Sequence, residues 1–402
     1  LSEAKGTRAP EALIWLGFRR IYLLYWIYLR VVMSCEQTLS GTIILGDELE
    51  SIEGYICVED GFITEIGEES TTSKNIIAPC FVNSHTHIGD SICKDPVLGT
   101  CENFRVKKDL DSLVRPPDGL KHRMLEKTSY SDLVNFMRSS MEDMLATGTC
   151  AFADFREGGV LGILALEEAV DGIIIDSIIL GRPKDTDSSM ESVLSDINRV
   201  LQHADGLGMS GANDVDMELL RRSRKASKNK SKMFAIHAGE KSDNDIDKAL
   251  SLDPDILIHM TQAKISDLMA VADANIPVVV CPRSNFITDV GMAPISEMLE
   301  SGVTVAVGTD NVMLNSVNMF SEMEILSKVF GLEDRQVFKM CTLNGASILG
   351  FNNTGSIKEG NKANLMILNG TSNNLIGVKD PVSGIVRRGR PDDILSIIHA
   401  NE

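Results

Sequence analysis

Seven histidines occur in the 402 residues, and four of them close short apolar runs that read as β-strands. His85 and His87 end VNSHTH, His237 ends MFAIH and His259 ends DILIH, while Asp310 follows VAVGT. Alternate residues of a strand point to the same side, so His-x-His offers both imidazoles in one direction. Two imidazoles from one strand, a third from another and a carboxylate suit a single divalent ion, Zn²⁺ or Fe²⁺, between which these donors do not choose. Each residue alone is compatible with an ordinary core or surface position, but the whole set at strand ends is not. Glu240 stands three residues after His237 in HAGE. Gly239 permits a sharp turn there, which would bring the carboxylate beside a metal-bound water as a proton shuttle.

Such a set needs a scaffold whose strand ends converge. Eight strand-like runs follow one another: 78–83, 149–154, 172–180, 207–211, 233–237, 256–259, 277–281 and 303–308. Helical segments separate them at 131–146, 190–203, 215–227, 243–250, 264–274 and 294–301. Alternating β and α with nearly continuous apolar strands implies a parallel sheet covered by helices. Eight such units favour an α/β fold of the (β/α)₈ TIM-like barrel type, whose active sites lie at the carboxyl ends of the strands. Before the barrel, GTIILGD and GYICVEDGFITEIGEE alternate like strands, with Asp60–Gly61 as a hairpin signal. After it, DRQVFKMCTLNGASILG reads as one helix, and GSIKEGNKANLMIL and PVSGIVRRGRPDDIL read as strands and turns. The expected organisation is a barrel over 78–350, with 33–77 and 351–402 combining into a small β-sandwich domain.

The segments HTH (85–87), HAGE (237–240), His259, CPRSN (281–285) and GTDN (308–311) resemble the amidohydrolase superfamily. The resemblance is to its cytosine/guanine/S-adenosylhomocysteine deaminase and chlorohydrolase branch, and it runs from about Gly41 to Ile397. It implies that His85, His87, His237 and Asp310 bind one metal ion per chain, that His259 contacts the metal water or substrate, and that Glu240 moves protons. No lysine lies in or just after the fourth strand, so a carbamylated-lysine bridge between two metals is not expected. The metal would lower the pKa of its water to about 7, and Asp310 would accept that proton. Glu240 would protonate a ring nitrogen, His259 would stabilise the oxyanion, and ammonia would leave. The sequence departs from adenosine-type deaminases in two substrate-facing loops. It has no tryptophan between Ile88 and Gly119, and it reads GMSGANDVD after the fourth strand. Candidate substrate contacts are Asp90, Arg115, Asp154, Arg156, Asn213, Ser284 and Asn285. Arg115 and Arg156 are suited to a carboxylate or phosphate.

Composition narrows the alternatives. Lys+Arg 39 against Asp+Glu 57 gives a net charge of -18, a poor footprint for nucleic acid. The basic stretch 221–232 reads as a solvated helix face. The 8 cysteines show no C-x-x-C pair, so a reducing cytoplasm is the simpler reading than a disulfide framework. Residues 15–32 carry both tryptophans, but their uncharged run, 21–29, is too short to span a membrane. Residues 1–32 read as a non-native or start-site extension, with an interfacial amphipathic helix as the alternative. The leading expectation is an aminohydrolase that deaminates an amino-substituted nitrogen heterocycle or nucleoside, acting on a small molecule and compatible with a homo-oligomer. Two others stay open: hydrolysis of a cyclic amide, N-alkyl amine or halide on the same metal site, and an amidohydrolase-like assembly protein without catalysis.

Overall fold

The computed structural model describes residues 37–96, 109–115, 118–184 and 188–400, so the expectations for residues 1–32 lie outside the described residues. The first strands build a hairpin whose turn is dictated by Asp60 and Gly61. Both adopt positive φ, 48° and 76°, the conformation that a two-residue turn between twisted strands requires. β1 (Gln37–Leu45), β2 (Glu50–Glu59) and β3 (Phe62–Glu68) are antiparallel neighbours, and β4 (Asn75–Pro79) pairs parallel to β1.

The chain then changes sheets within two residues. The Cys80 N–H donates to Asn364 O at 3.0 Å, whereas the Phe81 N–H donates to Gly148 O at 2.8 Å. The run expected as one strand from 78 to 83 is therefore split. Ala78 and Pro79 complete β4, and β5 (Phe81–His87) opens the second sheet.

That second sheet continues through β6 (Thr149–Arg156), β7 (Asp176–Gly181), β8 (Gly206–Met209), β9 (Met233–Ala238), β10 (Ile256–His259), β11 (Val278–Val280) and β12 (Val305–Val307). A short β13 (Asp310–Asn311) follows β12 and pairs parallel with β5, Asp310 against Thr86 and Asn311 against His87. All its pairings are parallel, in the order β12-β11-β10-β9-β8-β7-β6-β5-β13. The sheet thus curls until its last segment lies beside its first, and the fold is mixed α/β.

The helices are α1 (Leu110–Leu113), α2 (Leu120–Lys127), α3 (Tyr130–Ala146), α4 (Gly159–Val170), α5 (Met190–His203), α6 (Met217–Asn229) and α7 (Ile246–Leu250). They continue with α8 (Ile265–Asp273), α9 (Pro282–Ile287), α10 (Ile295–Glu300), α11 (Met319–Lys328), α12 (Asp334–Met340), α13 (Leu343–Leu349) and α14 (Pro381–Arg388). None of the described helices is long and apolar enough to cross a membrane.

The C-terminal β14 (Leu365–Asn369) and β15 (Ile394–Ile398) return to the first sheet, whose order is β15-β14-β4-β1-β2-β3. Two expectations fail in this region. The segment 334–350 is two helices rather than one, because Thr342 leaves helical geometry at φ −133°, ψ −91°. PVSGIVRR is a helix rather than a strand. Asp380 caps it through Val382 N and Pro381 occupies its first turn, both helix-start features. The buried Val382, Ile385 and Val386 then join the main core, at the spacing of a helix face.

Candidate active site

The carboxyl ends of β5, β9, β10 and β12–β13 meet at one place, and each is shaped for it. β5 is buried along its whole length. Gly308 lets the chain pass from β12 to β13 against β5: a Cβ there would lie 2.6 Å from both Cβ and O of His85. Gly239 turns the chain after β9 with φ 61°, and Glu240 follows directly. His259 and Asp310 hold left-handed backbone, φ 75° and 57°. That conformation costs non-glycine residues about 1–3 kcal/mol each and tends to persist where the surroundings fix a functional geometry.

The side chains converge accordingly. The ring centroids of His85 lie 5.0 Å from those of His87 and of His237, and His237 lies 5.3 Å from His259. Asp310 Oδ1 is 3.3 Å from His85 Nε2 and 3.6 Å from His87 Nε2. Ser284 Oγ donates to the other oxygen, Oδ2, at 2.5 Å, which orients the carboxylate. Glu240 Oε1 is 3.5 Å from His259 Nε2.

These residues fit a cation. His85 is fully buried, yet neither ring nitrogen has a hydrogen-bond partner, and orphaned buried polar atoms of this kind call for an explanation. Donor atoms of His85, His87 and Asp310 fall within 4.8 Å of one another, as do those of His85, His237 and His259. Burial pushes the pKa of His85 down, that of His87 to about 3, and that of His237 well below the ordinary range. The three imidazoles are therefore neutral and able to donate lone pairs. Burial alone would raise Asp310, but the close approach of the His85 imidazole, with those of His259 and His87, holds it well below the carboxylate range. Second contacts fix the rings: His237 Nδ1 is 2.8 Å from Met209 O and His87 Nδ1 is 3.1 Å from Phe155 O. Such partners set which nitrogen faces a metal.

A cleft of about 340 Å³ opens over the set, lined by His87, His237, Glu240, His259 and Asp310 among others. Of the seven expected substrate contacts, Arg115 and Asn213 line it. Ser284 and Asn285 lie one layer back, Ser284 on Asp310 and Asn285 bonded to Thr261 Oγ1 at 2.8 Å. Asp90, Asp154 and Arg156 are buried and do not line the cleft. Asp154 Oδ1 accepts from Ile88 N at 2.6 Å, and Arg156 pairs with Asp154 and Glu157 at 3.3 and 2.7 Å.

Three ionisable residues of this region were not singled out from the sequence: Glu157, Lys121 and Arg182. Glu157 Oε1 sits 3.0 Å from His87 Nδ1, 2.6 Å from Lys121 Nζ and 3.8 Å from Arg182 Nη2. Burial opposes its charge, but Lys121 and His87 outweigh this and keep its pKa well below the usual range. The only available signal was Glu157's place directly after a strand that already carried Asp154 and Arg156.

A profile of the amidohydrolase family matches residues 76–395. The chain belongs to that family. It is 33% identical over 381 residues to an uncharacterized protein of Methanocaldococcus jannaschii, covering 89% of this chain and 96% of that one. It is 25% identical over 402 aligned positions to the 5-methylthioadenosine/S-adenosylhomocysteine deaminase of Caldicellulosiruptor saccharolyticus, covering 89% of each chain. In fold it is similar to the zinc-complexed atrazine chlorohydrolase TrzN of Arthrobacter aurescens, with a TM-score of 0.75, 16% identity and coverage of 90% and 94%. This amidohydrolase is a metal-dependent aminohydrolase, acting on carbon–nitrogen bonds.

Proposed function

We propose that this amidohydrolase deaminates an amino-substituted nitrogen heterocycle or nucleoside, with one Zn²⁺ or Fe²⁺ held by His85, His87, His237 and Asp310. The observation that carries the reading is the convergence of three neutral, buried imidazoles and a low-pKa aspartate at the floor of a small-molecule cleft. A divalent ion there supplies Lewis acidity that makes water a nucleophile at neutral pH.

The chain's own residues do the rest. Asp310 accepts the proton that water gives up, its Oδ2 steadied by Ser284. Burial pushes the Glu240 carboxyl up to about 7, so near neutrality it can hold a proton and pass it to a ring nitrogen. His259, fixed by the unusual backbone at its strand end, aligns Glu240 and hydrogen-bonds the oxygen that develops negative charge.

The same reading closes the curled sheet as a (β/α)₈ barrel over 78–350, which the β13–β5 pairing supports. It folds 33–77 and 351–402 into a small sandwich. In support, the free edge at β3 is reached by the approach to β14: Ile63 N donates to Asn361 O at 2.9 Å and Ala363 N to Gly61 O at 2.8 Å. α14 is excepted from that domain, since it joins the barrel's core. The scattered cysteines, none in a C-x-x-C pair, support a cytoplasmic protein. A homo-oligomer that binds no nucleic acid belongs to the same proposal.

The test is elemental analysis together with ammonia release from aminopurines, nucleosides, pterins and aminopyrimidines. About one zinc or iron per chain with ammonia from any member supports deamination. Metal without ammonia moves the reading to a cyclic amide, N-alkyl amine or halide, and absence of metal after reconstitution overturns it.

A further inference from the structure

β5 carries a third polar side chain in step with its two histidines. Asn83 stands two residues before His85 and four before His87, and alternate residues of a strand point to the same side. Its side chain is fully buried, where an amide without partners would be costly. One residue meets both ends of that amide. Asn83 Nδ2 donates to Thr309 Oγ1 at 2.8 Å, and the Thr309 N–H donates to Asn83 Oδ1 at 3.0 Å. Thr309 is itself buried and directly precedes Asp310.

β12 ends at Val307 and β13 begins at Asp310. On one side of that break the Gly308 N–H donates to Val280 O of β11 at 3.0 Å, and on the other Asp310 pairs with Thr86 of β5. Thr309 thus falls where the chain changes partners, and the Asn83 side chain supplies the acceptor that strand pairing gives elsewhere. Asp310, next in the chain, holds left-handed backbone at φ 57° and aims Oδ1 at His85 and His87, 3.3 and 3.6 Å away. Such a conformation persists only where its surroundings fix it. Ser284 steadies the Asp310 carboxylate at Oδ2, whereas Asn83 holds the preceding peptide from the strand that carries His85 and His87.

We propose that Asn83 is a positioning residue of the metal site. By clamping Thr309 through both ends of its amide, it fixes the backbone of Asp310 and with it the direction of the carboxylate relative to His85 and His87. It acts through Thr309 and touches neither metal nor substrate. The consequence for metal binding rests on the four-ligand reading, while the clamp itself does not.

The experiment measures cobalt(II) affinity of the full chain by competition with a chelator, together with the visible absorption of the bound cobalt, which reports coordination geometry. Asn83→Leu removes both bonds, and Thr309→Val removes the hydroxyl alone. Each should weaken cobalt binding by roughly tenfold to a hundredfold and alter the spectrum. Thr309→Ser keeps the hydroxyl and should stay close to wild type. Leu201→Ala is the control for a purely structural loss, because it truncates a buried side chain of α5 that does not line the cleft. There the melting temperature should fall while cobalt affinity and spectrum hold. Where Asn83→Leu fails to fold, Thr309→Val against Thr309→Ser carries the comparison. Hydrogen exchange in the metal-free chain reads the clamp without any ion: segment 308–311 should exchange faster in the variants than in wild type. Tight cobalt binding by wild type with no ammonia from any heterocycle counts against the deaminase reading alone, and weaker binding by the variants then still supports the clamp. Wild-type affinity and spectrum in Asn83→Leu and Thr309→Val, or unchanged exchange over 308–311, overturns the proposal.

Discussion

Gly308→Ala is the substitution whose consequence the structure defines most sharply. The added Cβ would meet three atoms of His85: Cβ and O at 2.6 Å and N at 2.7 Å. Two of these are backbone, so no side-chain rotation relieves the clash. Reaching an ordinary contact of 3.4 Å from 2.6 Å requires β12–β13 and β5 to part by roughly 0.8 Å. Overpacking of this kind costs about 1–3 kcal/mol, and Gly308 lacks the left-handed φ that would add strain of its own. The site is affected as well as the fold, because Asp310 follows two residues later and pairs with Thr86 between His85 and His87. Metal ligation tolerates displacements of about 0.2 Å, and a misplacement of about 1 Å can cost a hundredfold in rate. The variant should therefore unfold at lower denaturant by the stated amount, bind clearly less than one metal per chain and lose at least tenfold in kcat/KM. Gly172→Ala is the control. There the Cβ meets nothing within 4 Å but φ is 77°, so about 1 kcal/mol of stability should go with no change in metal content. A Gly308→Ala protein within about 0.5 kcal/mol of wild type, with full metal and full activity, would refute the argument.

Other expectations follow from neighbouring features. Glu240→Gln should retain metal and lose about 10²–10⁴ in kcat; full activity in steady-state assays would remove Glu240 from proton transfer. Burial raises Glu240 to about 7, so the folded chain prefers the protonated acid. Its contribution to stability is present below the unfolded pKa and is lost as pH rises to about 7. Metal-free Glu240→Gln should accordingly gain on wild type between pH 5 and pH 8 in denaturation curves, and a constant difference across that range contradicts the assignment. Glu322 is fully buried against Arg283, whose Nε lies 2.7 Å from Oε1 while its other nitrogens bond Ser316 and Asn318. Arg283→Met strands that acid and should cost about 3–5 kcal/mol, more than Arg283→Met with Glu322→Leu; equal losses in chemical denaturation would refute the pairing. Stripping the divalent ion with a chelator should abolish turnover and lower the melting temperature, and zinc or iron should restore both. Unchanged melting after verified metal loss would argue against the four-ligand site.

The sequence shows its chemistry where chemistry and backbone period coincide. His85 and His87 are legible because a strand repeats every two residues. Gly239 is legible because only a glycine turns so tightly at little cost, and Asp60–Gly61 because its turn needs two positive φ angles. Helix 190–203 is legible to the residue, since its apolar face repeats at helical spacing. α14 is hidden from a pattern reading although Asp380–Pro381 announces it, because the same apolar residues also satisfy a strand pattern.

What tertiary structure alone decided is which charges share a carboxylate. Glu157, Lys121 and His87 lie far apart in sequence, and no local periodicity links them; they meet because β6 pairs with β5 and α2 covers the strand ends. Asp154 and Arg156 show the converse. Both sit at a strand end, where sequence reasoning places substrate contacts, but the packing of Gly89 against the Arg156 guanidinium turns them inward. Propensity and period are local properties, and they determined most of the strands and turns and which strand ends carry the histidines. The direction a polar side chain takes at a strand end depends on which neighbour removes it from water, and only the assembled sheet supplies that neighbour.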